Sequence, residues 1–410
     1  MRHYLNVVQL VALCVLAAVF VLFADAQPAI PLEDWEKRQN ADERLTVFGD
    51  DIMGDAIDPH TGSIVFTHTD VSIPGNRQLQ VALTRRLSQG FLYHHTVDAE
   101  FGNWELVVPR IKVTTIPDWD GDRCSDTFQQ NFPNQGTGSG SSYVSITRDQ
   151  YSEGVIMDIP GYSGQPLLEN PNGAHWPSSA THVTTQNFYL YCGAASDGGE
   201  GFVAKAPNGD TYRFDKYIVH KAPPLNFSNG PGGNRSIQML AATQVTDIHG
   251  NWVRYDYDGS GRLTRIYAND GREIDIIYQG SALLIDEVRA NGRTWKYGYQ
   301  QSNYRFKEWQ RPPPWQQIPQ QALDTVELPD GRSWSFGLDS LISEPAPAED
   351  CPEANFSVSL VHPSGMTGNF VLQELEHRYV YANQLRRNQE CPFFEPPAPG
   401  GSGHIYPLES

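Results

Sequence analysis

Between residues 245 and 300, large apolar side chains recur at every second position, and a glycine breaks the run at equal intervals. Gly250, Gly271 and Gly292 stand 21 residues apart. Three, five and seven positions after them come Val253, Tyr255 and Tyr257, then Ile274, Ile276 and Tyr278, then Trp295, Tyr297 and Tyr299. A period of two is that of a β-strand with one face turned to a core. A glycine preceded by His, Asp or Asn suits a hairpin turn that needs positive φ. The same offsets recur after Gly331 (Trp334, Phe336, Leu338), after Gly209 (Tyr212, Phe214, Lys216) and, more weakly, after Gly365 (Gly368, Phe370, Leu372). Strand–turn–strand units at such a spacing mark a repeat architecture. The gaps of 41 residues before Gly250 and 39 after Gly292 are close to two periods. They hold PPLNFSNGPGGNRS (223–236) and QRPPPWQQIPQQ (310–321), so the sequence predicts proline-rich insertions on a continuing register.

The phrases YDGSGRLTRI (257–266) and NDGREIDIIY (269–278), with HGNWVRYDY (249–257) and DGRSWSFGLD (330–339), resemble the Tyr-Asp (YD) repeat of RHS-repeat proteins. Residues 58–86 are similar to the region that precedes the repeats in that family, so the resemblance covers most of residues 50–375. It implies a long β-sheet that spirals into a hollow shell, often around a C-terminal toxin, with roles in cell-surface interaction and interbacterial competition. The family's full-length members carry more repeats, a C-terminal core motif and a toxin domain. The chain here is therefore expected to be an open curved sheet, a truncated relative, or a partner of a larger RHS protein.

Composition agrees with an all-β fold: 36 Gly and 29 Pro supply turns, and helix formers are sparse. The expected architecture is stacked antiparallel β-hairpin repeats in a curved or partly closed sheet, with an irregular N-terminal β region. A formal charge of −18 argues against a nucleic-acid partner, which would need a basic face. The start of the chain has the form of a signal peptide. Arg2 and His3 precede an apolar run at 10–24, and Ala24-Asp25-Ala26 fits a cleavage site before Gln27. Export follows, to the periplasm, the medium or the cell surface, with no membrane contact after cleavage; a retained anchor is the alternative.

Removal of residues 1–26 leaves Cys124, Cys192, Cys351 and Cys391. In an exported chain four cysteines suggest two disulfides, with three possible connectivities. Pairing of sequence neighbours would join Cys124 to Cys192 and Cys351 to Cys391. The expected organisation is a signal peptide (1–26), a tether (27–45), a β region that plugs or caps the first repeat (46–205), the repeats (206–375) and a Pro/Gly-rich tail (376–410).

One stretch carries metal-ligand spacing. Asp118, Asp120, Asp122 and Asp126 in DWDGDRCSD match part of a calcium loop, but Arg123 replaces its turn glycine and Gln129 its bidentate glutamate. The alternative is a solvated acidic loop anchored by Cys124. No catalytic or cofactor motif is present: Gly161-Tyr162-Ser163-Gly164-Gln165 lacks the second glycine of a nucleophile elbow. The leading expectation is a non-enzymatic structural protein whose partner is another RHS-type protein or a cell-surface glycan. Two alternatives stay open. One is a carbohydrate-binding module that exposes its aromatics in a row. The other is a hydrolase with its site in 46–205.

Overall fold

The repeat hairpins in this computed structural model are set by their turns. At 206–210, 247–251, 268–272, 328–332 and 362–366 the glycine N–H donates to the carbonyl three residues back, and the first residue's N–H donates to the carbonyl four residues on. Gly209, Gly250, Gly271, Gly331 and Gly365 have φ between 82° and 89°. This is the three-residue hairpin loop, a type I turn followed by a left-handed bulge residue. Gly292 sits in a different turn. Asn291 (φ 50°) and Gly292 (φ 70°) form a two-residue connection between Ala290 and Arg293, the type I′ turn that Asn-Gly favours. Gly271→Ala is expected to cost about 1–2 kcal/mol through the left-handed backbone alone, because a Cβ there meets nothing within 4 Å. Urea denaturation against Gly259→Ala, equally open but without positive φ, isolates the conformational cost; equal midpoints for the two variants would refute it.

The structure describes residues 53–57, 64–75, 79–88, 99–116, 118–119, 121–126, 135–137, 144–146, 152, 154–162, 164–170, 177, 179–222, 225–227, 230–233, 235–307, 315–337, 355–373, 379–381 and 405–407. The signal segment, the tether, Asp120, Cys351 and Cys391 lie outside them. Every regular element among the described residues is a strand. The main sheet has 18 strands, antiparallel throughout and not closed into a barrel. Its strands follow chain order from Leu168–Glu169 to Thr367–Gln373. Because neighbours alternate in direction, the six glycines of the offset rule all fall on one edge of the sheet.

The long glycine intervals hold one hairpin each, not two periods. Thr211–Lys221 pairs along its length with Ser236–Thr246, and Arg293–Lys307 pairs with Trp315–Glu327. The additional residues lengthen the arms toward the edge opposite the glycines. Turn chemistry is local, so it holds the glycine edge while hairpin length varies freely at the other.

A second repeated feature lies deeper in each hairpin. Register shifts fall between Asp256 and Tyr257, Ile277 and Tyr278, and Gly298 and Tyr299, so a β-bulge precedes the last aromatic of each 21-residue copy. Each of these tyrosines donates its hydroxyl to a carbonyl of an earlier strand: Tyr257 to Ala242 (3.1 Å), Tyr278 to Leu263 (3.0 Å) and Tyr299 to Ile285 (2.5 Å). The aspartate of the Tyr257-Asp258 pair works on the turn instead, accepting from the N–H groups of Ser260 and Arg262. Tyr278→Phe, which strands the Leu263 carbonyl, is expected to lower stability by about 1 kcal/mol in urea denaturation; a neutral result would show the latch to be idle.

Strand Ser236–Thr246 is the fork of the sheet. One of its edges is shared, Gln244–Thr246 pairing with the repeat strand Trp252–Tyr257 and Ser236–Ala241 pairing with Arg110–Thr115. From there a branch continues through Ile156–Asp158 and Gln165–Pro166. Pro109 marks the point where the chain leaves a separate four-stranded sheet (Asp55–Ile57, Ile64–Ile73, Val81–Ser88, Glu105–Val107) and enters this branch. Its carbonyl accepts from Ala242 N–H.

The small sheet does not cap the first repeat. It lies across the inner face of later ones. Phe66 meets Phe370, Phe101 meets Tyr297, and His68 meets Trp334. Arg272 donates to the carbonyls of Ile73 and Leu79, and Ile285 N–H donates to Glu100. The end of the array is formed instead by 168–205, the first strands of the run. The apolar stripe on the repeats needs cover, and the small sheet supplies part of it.

Candidate functional site

Strand Val81–Ser88 continues the alternation of Val81, Leu83 and Leu87 with Arg85 in an inward position, and Arg85 is fully buried. A buried guanidinium requires a carboxylate. Asp70, from the neighbouring strand, accepts from Arg85 Nε at 3.0 and 3.2 Å, and its side chain is also fully buried. Tyr297 donates its hydroxyl to Asp70 at 3.1 Å. The planar guanidinium carbon lies 4.5 Å from the ring centre of Trp104 and 4.7 Å from that of Phe336. His68, 3.5 Å from Asp70, is pulled down to about 4 by burial, with Arg85 and His362 adding to the effect against Asp70.

The opposite face of the same strand carries a second cluster. Arg86 binds Glu105 (2.6 Å) and Asp158, and Arg110 binds Glu105 and, at 3.3 Å, Asp158; Lys112 stands 3.9 Å from Asp158. These charges tie the small sheet to the branch strands. Burial pushes the Glu105 carboxyl up, but Arg110 and Arg86 outweigh it and hold the group well below the usual range. Asp158 is lowered by the same opposition. Burial alone dominates at Lys112, whose ammonium it pushes down. A carboxylate pair so held stays ionised, the opposite of the raised acid that glycoside hydrolysis needs. The sequence did contain a signal for the first cluster, an arginine in the apolar phase of a strand. Nothing local marks Asp158, 72 residues from Arg86.

The acidic loop is held in large part by Arg123, Glu200 and Cys124. Asp118 and Asp122 are exposed and Asp126 is half-buried. Arg123, in the place of the calcium-loop glycine, is buried, pairs with Asp197 through both terminal nitrogens, and stacks 3.8 Å from the centre of Tyr217. Glu200 accepts from the N–H groups of Cys124 and Ser125. Among the described residues no three His, Cys, Asp or Glu side chains are grouped to hold a metal ion. Cys124 and Cys192 form a disulfide, joining this loop to strand Tyr189–Ala194 across 68 residues. Replacing both by serine is expected to cost about 2–4 kcal/mol in urea denaturation, and an unchanged midpoint would contradict it.

Hydroxyl–histidine pairs have local explanations. His362 Nδ1 shares a hydrogen bond with Ser364 Oγ (2.8 Å) and also accepts from Ser364 N–H, which closes the turn they occupy. Buried His182 bonds Thr181 next to it. The aromatic ladder faces inward: Tyr297, Trp334 and Phe336 are buried, and Tyr255, Tyr257, Tyr278, Trp295 and Tyr299 are half-buried. It does not form a solvent-facing row for sugars.

These features define a class, an all-β hairpin-repeat sheet with a small sheet packed against one face through aromatic contacts and tied to the branch strands by ion pairs. No protein-family model matches the sequence, and no curated protein matches it. Among solved structures, the chain is similar to "Crystal Structure of TcdB2-TccC3-TEV" at 10% identity and a TM-score of 0.16. That similarity covers 78% of this chain and 16% of the other.

Proposed function

We propose that the chain is an exported, non-enzymatic structural protein of the RHS/YD-repeat type, acting at the cell surface by binding or enclosing a partner in interbacterial competition. The observation that carries this reading is the repeated latch, in which Tyr257, Tyr278 and Tyr299 each donate to the carbonyl of an earlier strand. At the Tyr257-Asp258 pair the aspartate in addition shapes the turn that follows. The signal-like start and the acidic charge support export. The outer face favours solubility: Asp256, Arg265, Asp275 and Arg289 stand opposite one another on successive strands as a ladder of alternating sign.

The test has two parts. Expression in a bacterial host followed by fractionation is expected to give protein outside the cytoplasm whose first residue is Gln27. Purified mature protein is then expected to bind intact bacterial cells saturably. Cytoplasmic protein with residues 1–26 intact, or no cell binding at any concentration, would sink the proposal.

A further inference from the structure

Arg85 is satisfied on one side only. Asp70 takes its Nε, while Nη1 and Nη2 are both buried and donate to no protein group among the described residues. Trp104 Nε1, on a ring stacked against the same guanidinium, is likewise buried without an acceptor. Three orphaned atoms in one contact group are all donors. Buried donors without acceptors are costly, and their accumulation in one place calls for a ligand rich in lone pairs. The rings of Trp104 and Phe336, with centres 5.3 Å apart, both lie against the guanidinium, which leaves its Nη edge as the part without a protein acceptor. There the Nη fork matches an acceptor geometry in which two N–H groups converge. Asp70 fixes the rotation of the fork and is itself held by Tyr297 on the repeat sheet. The direction of the fork is therefore set before any ligand arrives.

We propose that Arg85, with Trp104 beside it, forms a buried binding site for one small monoanion, a halide or a short carboxylate, at the contact between the four-stranded sheet and the repeats. The anion completes the hydrogen bonding of Arg85 and secures the small sheet against Tyr297 and Phe336. A site this deep excludes large anions and leaves the ion exchanging only when the two sheets part. It acts as a structural ligand, independent of any role in cell binding.

The test uses purified mature protein at pH 7 and constant ionic strength, with gluconate as the bulky reference anion. Stepwise replacement of gluconate by chloride, and separately by acetate, is followed by urea denaturation. An anion that binds only the folded protein raises the folding equilibrium constant about 100-fold at 100 times its dissociation constant. The expected result is a saturable rise with chloride, acetate or both; the arm that saturates at lower concentration identifies the ligand. Arg85→Lys keeps the charge but loses the fork, and the anion dependence is expected to vanish with it. Where that variant does not fold, crystals of the unaltered protein grown in bromide provide the second reading, an anomalous peak within hydrogen-bonding distance of the Arg85 Nη atoms. Equal stability in chloride, acetate and gluconate overturns the proposal. So does a retained anion effect in Arg85→Lys, or, where the chloride arm is the one that saturates, a bromide crystal with no anomalous signal at Arg85.

Discussion

Asp158→Ala is expected to destabilise the protein by about 3–5 kcal/mol, because removing one partner of a buried ion cluster leaves the others uncompensated. Asp158 is 3% exposed and accepts from both Arg86 and Arg110. Its loss leaves Glu105 as the remaining carboxylate bonded to both guanidiniums, with the Lys112 ammonium close by. Asp275→Ala serves as the control. Asp275 also pairs with an arginine, Arg265 at 2.7 Å, but both side chains are more than 40% exposed, and a pair of that kind is worth about 0–1 kcal/mol. Urea denaturation of the two variants decides the matter, and equal losses would refute the cluster's role. The same carboxylates give a pH signature. Their folded pKa values lie below the unfolded ones, so their contribution is complete above the ordinary carboxylate range and is lost as pH falls through the depressed values. Their part of the stability is expected to hold from pH 7 to about 5 and to decline below about 4, on top of a separate loss that begins below about 6.5 as neutral, buried His68 opposes protonation. In Asp158→Ala that acid decline should be shallower.

Phe66→Ala is expected to cost a similar amount, about 3–5 kcal/mol, by a different route. Phe66 is fully buried in the small sheet, with Trp104 at 6.4 Å on its own side and Phe370 at 5.0 Å, edge-on, from the repeat sheet. Truncation removes the ring from the contact between layers and leaves a cavity that two sheets, each held by its own ladder, collapse poorly to fill. The loss should be regional. Hydrogen exchange is expected to quicken in Ile64–Ile73, Val81–Ser88 and Thr367–Gln373, while Trp252–Tyr257 and Leu263–Ala268 keep their protection. Uniform acceleration over all five strands would show that Phe66 is an ordinary core residue and not a fastener between layers.

The candidate site was only partly legible in advance. Arg85 occupies an apolar phase that alternation alone exposes, and the Cys124–Cys192 bond follows from sequence proximity. Asp70 was hidden by a register shift between Thr69 and Val71, which alters the phase in which the strand presents its side chains. Asp158 and Glu105 carry no mark that separates them from the chain's 46 other acidic residues, 48 in all.

What the sequence alone determined is the hairpin and its edge. Glycine at a left-handed turn, apolar residues two apart and a tyrosine seven positions on are short-range requirements, each met within one unit, and they placed Gly209 through Gly365 on a single side of the sheet. Tertiary structure decided everything that needed a distant partner. It set one hairpin in each long glycine interval, forked the sheet at Ser236–Thr246, and laid the small sheet across the repeats, with Arg85 on one of its faces and Arg86 on the other. The reason is physical. A period of two says that a face is buried but not what buries it, and the choice among possible covers rests on total apolar area and charge matching summed over the whole fold.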